Sequence, residues 1–234
     1  MLERRFGAII PAFLRNRLMA VEATIERSVT DFSASLPAGS HVLDAGAGES
    51  RFRSAFPEYH YVAVDLAVGD IDWDYAGIDC VGDLAAIPFA ENSFDGVLNI
   101  VVLEHLTRPD LALAEIARCL KPGGCLLLIA PQQWEVHQAP HDYFRFTRYG
   151  LQDLCRRAGL TLDSIEPIGG YFSLLARRLI GSLNFFQGGF RWLLFPIVAL
   201  AVAPFALLLP SLDFLDTKKD FTLAHRCIAR KPSS

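Results

Sequence analysis

The chain has 234 residues, 52% of them hydrophobic, a mean hydropathy of +0.28 and a formal net charge of −4, a length that suits one α/β domain plus a sizeable insertion. The charge is unevenly placed: residues 31–144 carry 5 Lys+Arg against 17 Asp+Glu, residues 145–234 carry 12 against 6, and the first 30 carry 5 against 3. An acidic middle speaks against nucleic acid as a partner, because phosphate neutralisation needs a basic footprint, while the basic flanks suit an anionic membrane surface. The cysteines Cys80, Cys119, Cys125, Cys155 and Cys227 form no CxxC pair and no cluster with histidine, so they read as buried thiols of a reducing compartment, and no metal-ligating set is expected. Arg4 and Arg5 precede only a short apolar piece broken by Pro11, and no secretory signal is read there.

In chain order, Leu14, Leu18, Val21, Ile25, Val29, Phe32 and Leu36 recur at steps of three and four. They predict one amphipathic helix ended by Pro37-Ala38-Gly39, within an N-terminal helical segment 1–38. "HVLDAGAGES" predicts a buried strand entering a glycine turn, "YHYVAVDL" (59–66) a second strand and "CVGD" (80–83) a short third. A fourth strand begins "FDGVLNIVVLE" (94–104). A helix follows at about 110–120, stopped by Lys121-Pro122-Gly123-Gly124, and "CLLLIAP" (125–131) is a fifth strand. Thr147 can cap a helix that stops at Gly159. "LTLDSIEPI" (160–168) and "FTLAHRCIARK" (221–231) complete seven strands. Strands alternating with helices predict an α/β fold with helices on both faces of a mostly parallel sheet.

Gly46 and Gly48 follow the first strand, where they permit a tight turn and close approach of a ligand to the backbone. Arg51 stands where a dinucleotide fingerprint would place a third glycine, so this turn alone decides little. Asp65 then ends the second strand, about 20 residues on, where an acid accepts from ribose hydroxyls. Asp83 ends the third strand, where a carboxylate can accept from an adenine amino group. Acids at the carboxyl ends of three successive strands place a nucleoside in the crevice that such sheets use for ligands.

"VLDAGAG", "VAVDL", "VGDLAAIPFAENSFDGVLNIVVLEHL" and "LAEIARCLKPGGCLLLIAP" resemble, in order, the motifs of class I S-adenosylmethionine-dependent methyltransferases. The resemblance covers about residues 40–165. It implies a Rossmann-like seven-stranded sheet whose last strand is antiparallel and lies between the fifth and sixth. It implies S-adenosylmethionine as cofactor, with Gly46 and Gly48 along its methionine part and Asp44 at its amino group through water. Asp65 would bind the ribose, Asp83 with the Leu84 backbone the adenine, and Asn99 would sit near the methionine carboxylate or amine. Ser50, where the family often has glycine, and a very short helix between Ser50 and Phe56 depart from the pattern.

"APHDYFRFTRYGL" (139–151) follows the fifth strand and is similar to a segment of envelope- or lipid-associated bacterial members of the family. His141 is the candidate general base, since its ordinary pKa is about 6.5. Asp142 could orient it, and Tyr143 and Arg145 could contact substrate. A capping role for His141 and Asp142, and a structural role for His105, stay open here.

Residues 169–220 form a hydrophobic insertion. Phe172, Leu175, Leu179, Leu183 and Phe186 make one helical stripe, with Arg177 and Arg178 off it. After the turn at Gln187-Gly188-Gly189, no charged residue stands from Trp192 to Leu212, and Pro196 and Pro204 break the run. Both ends of the insertion attach to neighbouring strands, so an odd number of membrane crossings is excluded. A double crossing would carry two arginines through lipid at about 2.5–3.5 kcal/mol each. The expected arrangement is a helical hairpin that dips into one leaflet at residues 171–212, on the inner face of a membrane. The expected domains are therefore 1–38, 39–168 with 221–231, and 169–220. The expected function is methylation of a lipid-linked or amphipathic acceptor. Two other readings stay open: a soluble small-molecule O-methyltransferase whose insertion is a lid or homodimer surface, and a non-catalytic membrane adaptor that keeps the cofactor pocket.

Overall fold

Runs of Val, Leu and Ile bounded by glycine, proline and polar turns become the seven strands of one sheet. The computed structural model describes residues 20–69 and 72–233; Leu14 and Leu18 of the predicted stripe lie outside them. The strands are β1 (His41–Ala45), β2 (His60–Asp65), β3 (Cys80–Val81), β4 (Phe94–Ile100), β5 (Leu120–Pro131), β6 (Thr161–Ile168) and β7 (Ala224–Arg230), and the helices are α1 (Ala20–Ser35), α2 (Pro109–Cys119), α3 (Arg148–Arg157), α4 (Tyr171–Ser182) and α5 (Phe195–Leu208). The sheet order is β3-β2-β1-β4-β5-β7-β6, with β5 and β7 antiparallel and the pairs from β3 to β5 parallel. This is the Rossmann-like seven-stranded α/β sheet that the motifs implied, its reversed last strand included.

The chain falls into two compact units. One comprises residues 27–166 and 224–234, the other the described residues up to 26 with 167–223. In the first, β1, β4 and β5 are buried almost without interruption, as central strands covered on both faces must be. Leu43, Val97, Leu126 and Leu128 are fully buried there, with Leu113 and Ile116 of α2 and Leu151 of α3. Of the predicted α1 stripe, Val29, Phe32 and Leu36 are buried in this unit, and Val21 and Ile25, which belong to the other, are buried as well. Thr147 accepts from the Gly150 N–H at 3.2 Å and caps α3, and Gly159 ends it at φ +77°. One boundary differs from expectation. Lys121-Pro122-Gly123-Gly124 does not separate helix from strand but lies inside β5, whose register with β4 shifts between Phe94 and Gly96. The glycines absorb that bulge, Gly123 at φ +80°.

In the second unit, α4 and α5 pack against each other and against a 3₁₀ segment, Leu209–Leu215. The carboxylates of Asp213 and Asp216 fasten the end of the insertion to its beginning. Asp213 accepts from the Phe172 and Ser173 N–H groups, both at 3.0 Å, and Asp216 from the Tyr171 N–H at 2.8 Å. Two acids at a helix N-terminus satisfy its orphan donors and complement its dipole. Leu223 N–H donates to the Ile168 carbonyl at 3.1 Å, so the excursion leaves and returns at one point.

Pro196 stands in the first turn of α5, where a missing N–H costs nothing. Pro204 lies inside α5 without ending it, contrary to the expected break. Within Phe195–Leu215 an 18-residue window has a mean hydropathy of 2.2, and the stretch has the length and composition of a membrane span. Only Val202 and Ala206 of α5 are buried, whereas Leu200 is 78% and Phe205 59% exposed. α4 has 12 residues, about 18 Å of helix at 1.5 Å per residue, short of a hydrocarbon core of about 30 Å. Its Arg177 pairs with Glu22 at 3.8 Å.

Candidate functional site

The site starts at the carboxyl end of β1. The chain turns there through Gly46 at φ +89° and Gly48 at φ +53°, values that glycine adopts without strain. A Cβ on Gly46 would stand 2.5 Å from both γ-carbons of Val102, and one on Gly48 would meet the Trp73 ring at 2.8 Å. Ser50, standing where glycine is frequent in the family, also has a positive φ of 55°, and its hydroxyl donates to the Gly77 carbonyl at 2.9 Å.

Asp65 holds this turn. One carboxylate oxygen accepts from the Gly48 N–H and the other from the Ala67 N–H, each at 2.8 Å. Each oxygen keeps a lone pair for a further donor. Asp83 accepts from the Ala85 N–H at 2.8 Å and caps the 3₁₀ turn Leu84–Ala86. Gly46, Asp65, Asp83 and Leu84 line one cavity of about 470 Å³, together with His141 and Tyr143. Trp73, Val101, Val102 and His105 complete part of its wall. Val101 is β-branched and sits at φ 58°, an outlier for such a residue, of the kind that concentrates at ligand sites.

The remaining expected residues stand elsewhere. Asp44, Gly48, Asn99 and Asp142 do not line this cavity. Asn99 is fully buried, and its amide donates to the Ala45 carbonyl at 2.9 Å, bracing the end of β1. Asp44 is buried and accepts from the Tyr61 hydroxyl. Burial pushes the Asp44 carboxyl up to about 6, against the Tyr61 hydrogen bond and Arg51, which pull it down.

Asp142 does not orient His141, because Arg145 grips it through two nitrogens at 2.6 and 2.8 Å and the His137 N–H donates to it at 2.9 Å. The Arg145 hydrogen bond outweighs burial and holds the Asp142 carboxyl well below the usual carboxylate range. Arg145 also donates to the carbonyls of Trp134 and Glu135, at 3.2 and 2.8 Å, so its guanidinium fastens the loop instead of facing the cavity. His141 Nδ1 lies 3.1 Å from the Tyr143 hydroxyl. The loop is stitched to the end of the fourth strand's turn: Tyr143 N–H donates to the Glu104 carbonyl at 2.8 Å, and His105 Nδ1 to the His141 carbonyl at 2.5 Å. Sequence reading missed Tyr61, Trp73 and His137. Tyr61 had a signal, since it alternates with Ala63 and Asp65 on β2 and pairs in register with Val42 of β1, beside Asp44.

Residues 43–128 match the methyltransferase-domain family. A tRNA (carboxymethyluridine(34)-5-O)-methyltransferase of Arabidopsis thaliana is 31% identical over 132 residues, 54% of this chain and 31% of that protein. A demethylmenaquinone methyltransferase of Renibacterium salmoninarum is 38% identical over 114 residues, 44% of this chain and 45% of that protein. The matched stretch thus spans less than half of each relative. Among solved structures, a 1,6-didemethyltoxoflavin-N1-methyltransferase of Burkholderia thailandensis with bound S-adenosylhomocysteine has a similar fold, with a TM-score of 0.56 at 18% identity over 94% of this chain and 85% of that one. With the ordered motifs and the sheet order, these findings support a class I S-adenosylmethionine-dependent methyltransferase domain over the matched residues.

Proposed function

We propose that this methyltransferase binds S-adenosylmethionine in the cavity between the ends of β1, β2 and β3 and transfers its methyl group to an amphipathic acceptor at a membrane surface. The observation that carries the cofactor reading is the convergence of Gly46, Asp65 and Asp83 on one cavity from three successive strand ends. Asp65 would accept from the ribose hydroxyls, Asp83 and the Leu84 backbone would hold the adenine, and the methionine part would run past Gly46 and Gly48. Asp44 beneath the turn would meet the amino group through water. The sulfonium carbon is already activated, so alignment and exclusion of water provide most of the acceleration.

The acceptor side is the wall made by His141 and Tyr143. Where the acceptor is a hydroxyl, His141 is the base on this reading, and His141→Ala is expected to slow turnover about 100-fold with cofactor affinity nearly unchanged. Full activity in that variant would leave the loop with a binding or structural role. The membrane reading rests on α5, whose apolar side chains stand in the open within an insertion that begins and ends at one point. Exposed patches of this kind mark interaction surfaces. Of the two relatives named above, one is named for a quinone acceptor and the other for tRNA. The 17 acids against 5 bases in residues 31–144 favour the former type of acceptor. The deciding experiment is transfer of a labelled methyl group from S-adenosylmethionine into a total lipid extract of the source cell. Label in an extractable lipid supports the proposal. Label only in water-soluble small molecules, independent of detergent or vesicles, would replace it with the lid reading.

A further inference from the structure

Beside the cavity, Glu104, His105 and His137 point three acceptor atoms at one place. Glu104 Oε1 lies 3.6 Å from His137 Nε2 and 3.8 Å from His105 Nε2, and the two Nε2 atoms are 3.1 Å apart. The point equidistant from all three lies about 2.0 Å from each atom, by plane geometry on those distances, which is the length of a zinc–nitrogen or zinc–carboxylate bond. The Glu104 side chain is 0% exposed, and neither of its oxygens has a hydrogen-bond partner. A buried carboxylate left this way is costly unless a cation neutralises it.

The tautomers sharpen the case. His105 Nδ1 faces the His141 carbonyl at 2.5 Å, and His137 Nδ1 faces the Glu135 carbonyl at 3.2 Å. A carbonyl only accepts, so each Nδ1 carries the proton. A neutral ring in this tautomer presents its Nε2 lone pair, and two such lone pairs 3.1 Å apart beside a carboxylate would repel one another. An electrophile at their common centre removes that repulsion. A backbone carbonyl on the far nitrogen is also how metal-bound histidines are usually held.

From this geometry we infer a binding site for one divalent ion of the zinc class, ligated by Glu104, His105 and His137. Two imidazoles and one carboxylate leave a fourth position for water or an acceptor oxygen, and His105 lines the cavity. The ion would also clamp the loop holding His137 and His141 onto the turn at Leu103–His105. The site stands on these three side chains whatever the acceptor is.

The test uses the full-length, tag-free protein stripped with chelator and titrated with Zn²⁺ by calorimetry and with Co²⁺ by visible absorption. One equivalent of each is expected, with Co²⁺ ligand-field bands and no thiolate charge-transfer band. Glu104→Gln and His137→Ala should each weaken Zn²⁺ binding by more than about 100-fold, beyond the ~10–100-fold of a lost outer-shell partner. Circular dichroism and S-adenosylhomocysteine binding report whether each variant is folded. Where His137→Ala is misfolded, His137→Gln takes its place. No binding by the stripped wild type, a thiolate band, or wild-type affinity in the folded variants would each overturn the site.

Discussion

Asp44 places a carboxylate where the fold does not want a charge, and replacing it by asparagine measures that conflict. Its carboxyl is raised from 3.8 to about 6, chiefly by burial. The gap corresponds to about 3 kcal/mol of folding free energy. Between about pH 3.8 and 6 the folded chain keeps the Asp44 proton that the unfolded chain releases. Stability from this group is therefore present at low pH and is lost as pH rises through that window. Asp44→Asn keeps an acceptor for the Tyr61 hydroxyl but buries an amide that needs a partner, a cost of about 1–3 kcal/mol. The net gain at pH 7 is then about 0–2 kcal/mol, or up to about 8 °C in Tm for a domain of this size. Urea melts of both proteins from pH 4 to 7.5 give the comparison. The difference between them isolates Asp44 from the carboxylates whose pKa values are lowered, such as Asp95 and Asp142. Two stability curves that run parallel across that range would refute the argument. The variant should also bind S-adenosylhomocysteine more weakly, so that stability is gained where function is lost.

Asp65→Ala removes acceptors of the Gly48 and Ala67 N–H groups as well as the proposed ribose contact, and calorimetry should show a loss of about 1.5–3 kcal/mol in S-adenosylhomocysteine affinity. Gly46→Ala meets the Val102 γ-carbons at 2.5 Å and a φ of +89°, so it should cost about 2–4 kcal/mol in denaturant melts; adding Val102→Ala should recover the packing part alone. Replacing residues 187–212 by a short Gly/Ser bridge should release the protein from membranes without loss of cofactor binding, and high salt should not release the parent chain, because apolar burial is not screened. A cysteine at Ala201 should resist aqueous thiol reagents from either side of the membrane; labelling from the far side would show a crossing.

Much of the fold was legible because its signals are local. The glycine turn, the acids closing β2 and β3, the Thr147 cap and the Gly159 stop each sit within a few residues of the element they define. The two boundary differences arise where local rules compete. Lys121-Pro122-Gly123-Gly124 reads as a break, yet β5 runs through it because β4 offers a partner on the far side of a bulge. Pro204 reads as a helix breaker, yet α5 continues past it. In the site, Asp65 and Asp83 could be placed at the cavity from the sequence because the sheet fixes where strand ends lie, whereas Asp44 and Asn99, also near strand ends, turn to buried partners. Loop residues could not, because their partners depend on side-chain direction. Asp142 follows His141 in the chain but turns to Arg145, and Glu104 and His137 come together across 32 intervening residues.

The hydrogen bond between Leu223 and Ile168 has a consequence for how this protein varies. An excursion that starts and ends at one point adds to the chain a loop-closure cost that grows only logarithmically, about 0.6 kcal/mol for each doubling of length. The helices between can therefore lengthen, shorten or disappear across a lineage while β6 and β7 stay paired. On the membrane reading, the depth reached into a leaflet is then adjustable in small inherited steps, and none of them needs to disturb the place where the methyl group moves.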